Sequence, residues 1–152
     1  IRALGRAHDF VRPVDGAKRG TLCSLLEELF APYGSGDGAR VQVSGDDLPI
    51  NSRTATPLAL VFHELATNSA KYGALASGSG IVTLKIADEG KTVKLEWRET
   101  GGKAPKKAPK DGFGSRLVEM SVCGQLGGSW ERRFEESGLI VDLTLPKATI
   151  AA

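Results

Sequence analysis

Three polar side chains between Phe62 and Leu75 could act together on a phosphate compound. Glu64, Asn68 and Lys71 are separated by four and by three residues, so in a helix they share one face. Magnesium takes hard oxygen ligands and keeps several waters. Asn68 offers a carbonyl oxygen to such an ion, Glu64 could hold the proton of a metal-bound or attacking group, and Lys71 could neutralise phosphate charge. This trio suits a magnesium-bound polyphosphate, and the alternative is an ordinary surface helix with a solvated polar face.

A zinc site on this segment is excluded by the sequence. His63 and Glu64 resemble the start of the zinc-protease motif H-E-x-x-H, but Thr67 stands where the second histidine is required. Two imidazoles therefore do not share one helical face, and the metal site fails.

An amphipathic helix has to position the trio. Thr56 suits its N-cap, Pro57 suits its first helical position, and Gly73 suits its end. Its predicted buried face consists of Leu58, Phe62, Leu65, Ala66 and Ser69.

Length and composition indicate one globular domain. The sequence has 152 residues, 41% hydrophobic and 25% charged, with a net charge of +2 that is too small to indicate a nucleic-acid partner. It has no apolar run near the roughly 20 residues that span a bilayer, so we expect no membrane contact. It has no signal-peptide pattern and no initiator methionine, so we expect part of a longer cytoplasmic protein. Cys23 and Cys123 are predicted to be buried thiols in a reducing compartment.

The remaining periodicity predicts further helices around a sheet. Residues 1–13 are predicted to end an incoming linker helix, in which His8 is either reactive or, more simply, a linker residue. Residues 14–148 form the domain and 149–152 a frayed tail. A helix over Thr21–Tyr33 should bury Leu22, Leu25, Leu26, Leu29 and Phe30.

Five strands are predicted, mostly in hairpins. They span 40–44, 81–86, 92–97, 129–134 and 139–145, with hairpin turns at 88–90 and 135–138. The predicted fold class is α/β, a two-layer sandwich in which about three helices cover a mixed sheet of about five strands.

Two glycine motifs flank a run rich in lysine, proline and alanine. Glu99-Thr100-Gly101-Gly102 follows a strand, and Gly112-Phe113-Gly114-Ser115 opens a helix that continues to Leu126, with Ser115 as its N-cap. A helix N-terminus presents free N–H groups to phosphate oxygens. The run from Lys103 to Asp111 is either a solvated linker or a lid whose lysines close over an anion. One face of the last helix is predicted to carry Leu117, Val118, Ser121, Val122 and Gln125.

Together these motifs resemble the catalytic ATP-binding domain of sensor histidine kinases in the GHKL superfamily, and more narrowly the HWE histidine kinases. That subfamily is named for a histidine in the asparagine box and a Trp-x-Glu in the first glycine box. His63 and Trp97-Arg98-Glu99 match these features here. The segments 63–68 and 112–115 match in the expected order, and the resemblance covers nearly the whole chain. Its implied fold is that of the GHKL, or Bergerat, domain.

The resemblance implies roles on the phosphate side of an ATP site. Asn68 would ligate a magnesium ion that bridges the phosphates, with Glu64 near the metal and its waters. Lys71 and Tyr72 would contact phosphate or ribose. His63 and Trp97 mark the subfamily, and we interpret them as packing the site.

The resemblance also implies roles around the base and the lid. Glu99 would accept a hydrogen bond from the adenine amino group, and Gly101 would let its loop approach the purine. The four residues of the second glycine motif would bind the phosphates: Gly112, Phe113, Gly114 and Ser115.

The implied activity is transfer of the ATP γ-phosphoryl group to a histidine on an upstream dimerisation helix. Residues 2–9 resemble the stretch that follows this helix, so His8 is not the acceptor. The implied partners are ATP, the acceptor domain of the same protein and a downstream response regulator.

Two alternatives stay open at this point. Leu139 stands where many relatives place a threonine near adenine, and no acceptor box precedes the domain. These departures are compatible with a degenerate nucleotide-binding module that regulates a partner without phosphotransfer. A serine kinase that acts on an anti-sigma partner is the other alternative, and Trp97 and Glu99 disfavour it.

Overall fold

A mixed five-stranded sheet forms one layer of the computed structural model, which describes residues 20–34, 38–101 and 113–151, with backbone only for 113–115. Its strands are β1 (Val41–Gly45), β2 (Ile81–Asp88), β3 (Thr92–Thr100), β4 (Ser129–Glu135) and β5 (Gly138–Pro146). They lie in the order β1-β2-β3-β5-β4, and only the β1–β2 pair is parallel. The predicted mixed sheet is confirmed.

Helices form the second layer. They are α1 (Leu22–Phe30), α2 (Ser52–Tyr72), α3 (Phe113–Glu119) and a short α4 (Lys147–Ile150). A 3₁₀ turn, Ala31–Tyr33, extends α1, another, Ala74–Ala76, follows α2, and a π-helical segment, Met120–Gln125, continues α3. Alternate residues of β3 are buried in the same core as the apolar faces of the helices. The α/β two-layer architecture is therefore as predicted, and the five-residue stripe of α1 is buried.

The start of α2 differs from the prediction. The helix begins at Ser52, capped by Asn51 and not by Thr56, and Pro57 lies inside it. The Asn51 side-chain oxygen accepts a hydrogen bond from the Thr54 amide at 3.0 Å, while its side-chain nitrogen donates to the carbonyl of Thr149 at 2.8 Å. The second bond spans most of the chain, so local sequence patterns could not reveal this start.

The predicted frayed tail is instead part of the fold. Residues 147–150 form α4, and the Ile150 side chain is 0% exposed in the core. Asn51 donates its backbone N–H to the Ile150 carbonyl at 2.9 Å, and Ile50 pairs with Ala151. The predicted boundary at residue 13, and His8, lie outside the described residues and stay predictions.

The segment that begins with α3 corrects further predictions. The helix begins at Phe113, so Ser115 is not its N-cap. In the π-helical turn the Leu126 amide donates to the Ser121 carbonyl, five residues back, at 3.0 Å. This wider turn rotates the helical face, so Gln125 is exposed and Leu126 is buried in its place. Cys123 in the same turn is exposed, contrary to the prediction of a buried thiol.

Candidate functional site

Glu99 is a polar residue on the buried face of the sheet. Strand β3 runs to Thr100, beyond the predicted end at Trp97, so Glu99 belongs to the strand and not to the loop after it. Because side chains alternate along a strand, Glu99 continues the buried row of Leu95 and Trp97, and it is only 3% exposed. A carboxyl group in such a place is costly unless hydrogen bonds satisfy it.

Two neighbours satisfy the Glu99 carboxyl group. The backbone amide of Ala74 donates to Oε1 at 2.9 Å, and the indole N–H of Trp97 donates to Oε2 at 3.0 Å. Gly73, the C-cap of α2, lies directly beside the group, since a Cβ atom added there would overlap Oε1. The carboxyl of Glu99 therefore joins the end of α2 to the end of β3.

The turn that carries the Ala74 amide is itself fixed from two sides. The Arg40 guanidinium donates to the carbonyl oxygens of Gly80, at 2.8 Å, and Ala74, at 3.2 Å. The Ser69 hydroxyl accepts a hydrogen bond from the Leu75 amide at 3.1 Å. Local sequence patterns place Arg40 only in a strand and do not indicate this role, because its partners are backbone carbonyls distant in sequence.

Helix α2 carries the predicted phosphate-side residues. Its predicted apolar face is buried. On the other face of this unbroken helix Glu64 is half-buried, while Asn68 and Lys71 are exposed. Tyr72 is 61% exposed at its end. Glu64, Asn68 and Lys71 are therefore accessible on the same helix, as their spacing predicts.

Trp97 packs in an aromatic cluster. Its ring centroid lies 5.7 Å from that of Phe30 and 6.2 Å from that of Phe62, and its side chain is 0% exposed. Trp97 therefore packs in the core, whereas the His63 side chain is exposed. The packing of a nucleotide site by these two residues stays a prediction.

The structure describes only some residues of the two glycine motifs. Gly101 has φ 79°, a conformation that favours glycine, and its carbonyl oxygen lies 3.4 Å from the Ser79 hydroxyl. Phe113, Gly114 and Ser115 form the first turn of α3, and α3 contacts α2. Gly112 and the predicted lid, Lys103–Asp111, lie outside the described residues.

The described residues offer one pair of candidate magnesium ligands on α2. In the described ranges no group of three or more His, Cys, Asp or Glu side chains could hold a metal ion. A half-buried carboxylate and an exposed carboxamide, Glu64 and Asn68, are hard oxygen donors one helical turn apart. This donor set fits magnesium, which is commonly held by one or two protein groups together with water and substrate phosphates.

The part of the chain that the structure describes contains no helix with the length and apolar character needed to cross a membrane.

Comparison with known proteins places the chain and its fold among histidine kinases. No family model matches the chain. A blue-light-activated histidine kinase of Brucella anthropi is 33% identical over 150 residues, which cover 96% of this chain and 30% of that protein. The chain therefore spans less than a third of the length of this relative.

Solved structures share the fold. The histidine kinase domain of the blue-light activated histidine kinase of Erythrobacter litoralis EL346 superposes with a TM-score of 0.69 at 22% identity, covering 97% of this chain and 71% of that one. Histidine kinase ThkA, in complex with the response regulator protein TrrA, gives a TM-score of 0.60 at 15% identity, covering 83% of this chain and 40% of that one.

Proposed function

The chain belongs to the histidine kinase catalytic domains, and from this premise we propose that it binds ATP and transfers the γ-phosphoryl group to a histidine of an acceptor helix in the same protein. A nitrogen of the acceptor imidazole forms a bond to the γ-phosphorus while the bond from that phosphorus to the β,γ-bridging oxygen breaks, and ADP leaves. The domain contributes positioning and charge neutralisation and forms no covalent intermediate of its own.

The buried Glu99 carboxyl is the observation that carries this proposal. Each carboxyl oxygen can accept more than one hydrogen bond, so the bonds from Ala74 and Trp97 leave acceptor capacity for a ligand. Adenine presents an amino donor at its 6-position, where guanine presents a carbonyl acceptor. Glu99 would therefore select adenine, with Gly101 at the approach of the purine.

The phosphate side of the site is assigned to α2 and to the start of α3. Asn68, supported by Glu64, would hold a magnesium ion, which supplies charge neutralisation at the phosphates. Lys71 and Tyr72 would contact phosphate or ribose, and their exposed side chains leave them free to do so. His63, which is exposed on the same helix, would contact the nucleotide on this phosphate side.

The second glycine motif would complete the phosphate contacts. Backbone N–H groups of a helix's first turn have no intrahelical partner, and Phe113, Gly114 and Ser115 form such a turn. Gly112 would precede it in the same role.

The proposed partners follow from the activity. A downstream response regulator would receive the phosphoryl group; ThkA forms a complex with the response regulator protein TrrA. We place the domain in the cytoplasm, without a nucleic-acid or membrane partner. A regulatory module without phosphotransfer is not favoured, since the curated relative is named as a kinase.

Calorimetric titration of the chain with magnesium–ATP tests the nucleotide step. We expect saturable binding that Asn68→Ala weakens about tenfold in the presence of magnesium. Gln42→Ala is the matched control, because it removes an exposed carboxamide from β1. Its neighbour Val41 is in register with Val82 and Glu99, so Gln42 lies on the opposite face of the sheet from Glu99. Absence of saturable binding by the unchanged chain would contradict the proposal.

Phosphotransfer is tested separately. The chain is mixed with the acceptor helix region of its own full-length protein and with γ-labelled ATP. We expect an acid-labile, base-stable label on the acceptor, as for phosphohistidine. Binding of ATP without any label transfer would leave a nucleotide-binding module and contradict the kinase step.

A further inference from the structure

We propose that Trp97 is the positioning residue for adenine recognition: its indole N–H fixes the Glu99 carboxyl in the direction that the 6-amino group requires. The inference rests on the proposed function, because it presupposes that Glu99 accepts a hydrogen bond from adenine. It adds a second residue on which discrimination at the purine 6-position depends.

The geometry of β3 brings the two side chains together. Trp97 and Glu99 are two residues apart, so both project from the same face of the strand. The indole Nε1 lies 3.0 Å from Glu99 Oε2, and both side chains are buried. A buried indole N–H needs an acceptor, and this carboxyl oxygen is the one it has.

The indole is held firmly enough to act as an anchor. Its ring packs against Phe30 of α1 and Phe62 of α2, with centroids 5.7 and 6.2 Å away, and these two phenyl rings also contact each other. Rotation of the indole would have to displace these rings from a closely packed core. The N–H direction is therefore set by the core and not by the ligand.

The carboxyl needs this anchor because glutamate is flexible. Its terminal torsion is broad, and the Ala74 amide binds only Oε1. With Oε2 also bound, the plane of the carboxyl is fixed before a nucleotide arrives. Such preorganisation favours binding because the ordering cost is already met.

The test compares two nucleotides that differ only at the 6-position: ATP and purine riboside triphosphate, which lacks the amino group. Both are titrated, with magnesium, into the unchanged chain, Trp97→Phe and Phe30→Leu. Trp97→Phe removes the N–H but keeps an aromatic ring. Phe30→Leu disturbs the same cluster and leaves the N–H bond in place.

We expect the unchanged chain to prefer ATP about tenfold, and Trp97→Phe to lose most of that preference through weaker ATP binding alone. Phe30→Leu should keep the preference for ATP. If Trp97→Phe keeps the preference for ATP, whether its affinity for the two nucleotides is unchanged or falls equally for both, the positioning role is wrong while the proposed function stands. If the unchanged chain binds neither nucleotide, the proposed function itself fails.

A second measurement needs no substitution at Trp97. The chain has two tryptophans, Trp97 and Trp130. In the ¹H–¹⁵N spectrum of Trp130→Phe one indole signal is lost, which identifies the remaining signal as that of Trp97. We expect the Trp97 indole signal to shift with saturating ATP and to shift much less with purine riboside triphosphate. An indole signal that responds equally to both nucleotides would overturn the inference.

Discussion

Gly73 and Glu99 are in direct contact, and the absence of a side chain at residue 73 is what allows it. A Cβ atom added there would overlap Glu99 Oε1 and would lie 3.1 Å from the carboxyl carbon. The backbone of Gly73, with φ −121° and ψ −147°, does not itself require glycine. The constraint is therefore steric and concerns the position of the carboxyl group.

Substitution of Gly73 by alanine should displace the Glu99 carboxyl and disturb its bond to the Ala74 amide. We expect ATP affinity to fall about tenfold and the free energy of unfolding to fall by about 1–3 kcal/mol. Titration calorimetry and urea unfolding measure the two effects. Gly78→Ala is the control, since a Cβ atom there would meet nothing within 4 Å; equal effects at both positions would contradict the steric explanation.

Lysine should not be able to replace Arg40 in stabilising the turn from Ala74 to Gly80. Its guanidinium reaches carbonyl oxygens at both ends of the turn from Ala74 to Gly80, and a lysine cannot reproduce that planar set of donors. We expect Arg40→Lys to lower the free energy of unfolding by about 1–2 kcal/mol and to weaken ATP binding, because the turn carries the Ala74 amide. Arg53→Lys on the exposed start of α2 is the control in urea unfolding. An Arg40→Lys chain as stable as the control would show that the turn does not depend on the guanidinium.

The sequence predicted what local periodicity determines. The buried face of α2, the stripe of α1 and the positions of the strands follow from short-range patterns, and the shared face of Glu64, Asn68 and Lys71 follows from helical spacing. The bonds of Glu99 to Ala74 and Trp97 could not be predicted, because they require the end of a helix to meet the end of a strand. The same holds for the Asn51 cap and the buried Ile150, which join distant parts of the chain.

Asn51 should contribute to stability in two separable ways. Its side-chain oxygen caps α2, and its side-chain nitrogen donates to the carbonyls of Thr149 and Ala151. Serine can replace the cap but not the amide donor. We expect Asn51→Ala to lower the free energy of unfolding by about 2 kcal/mol and Asn51→Ser by about half of that, measured by urea unfolding. Equal losses in the two variants would mean that the contacts with the C-terminal segment, and not the cap, account for the whole effect.

The Cys23 thiol should resist ionisation in the folded chain. Burial raises its pKa from 9.0 to about 12, and the nearby carboxylates of Asp47 and Glu27 add to the effect. Because the fold favours the protonated thiol, this contribution to stability is fully present below pH 9 and is lost as pH rises toward 12. Thiolate is the reactive form, so at pH 9 iodoacetamide should label native Cys23 at least about a hundredfold more slowly than the urea-unfolded chain.

Mass spectrometry of a Cys123→Ser chain isolates this thiol from the exposed one. In the native chain the labelling rate should keep rising above pH 10, whereas in urea it should level off soon after pH 9, where the ordinary thiol has ionised. Asp47→Asn removes one of the two carboxylates that raise the pKa, so it should move the native profile to lower pH without abolishing the difference from the unfolded chain. A native profile that levels off near pH 9 would contradict the assigned environment of Cys23, because neither burial nor the two carboxylates would then be acting on the thiol.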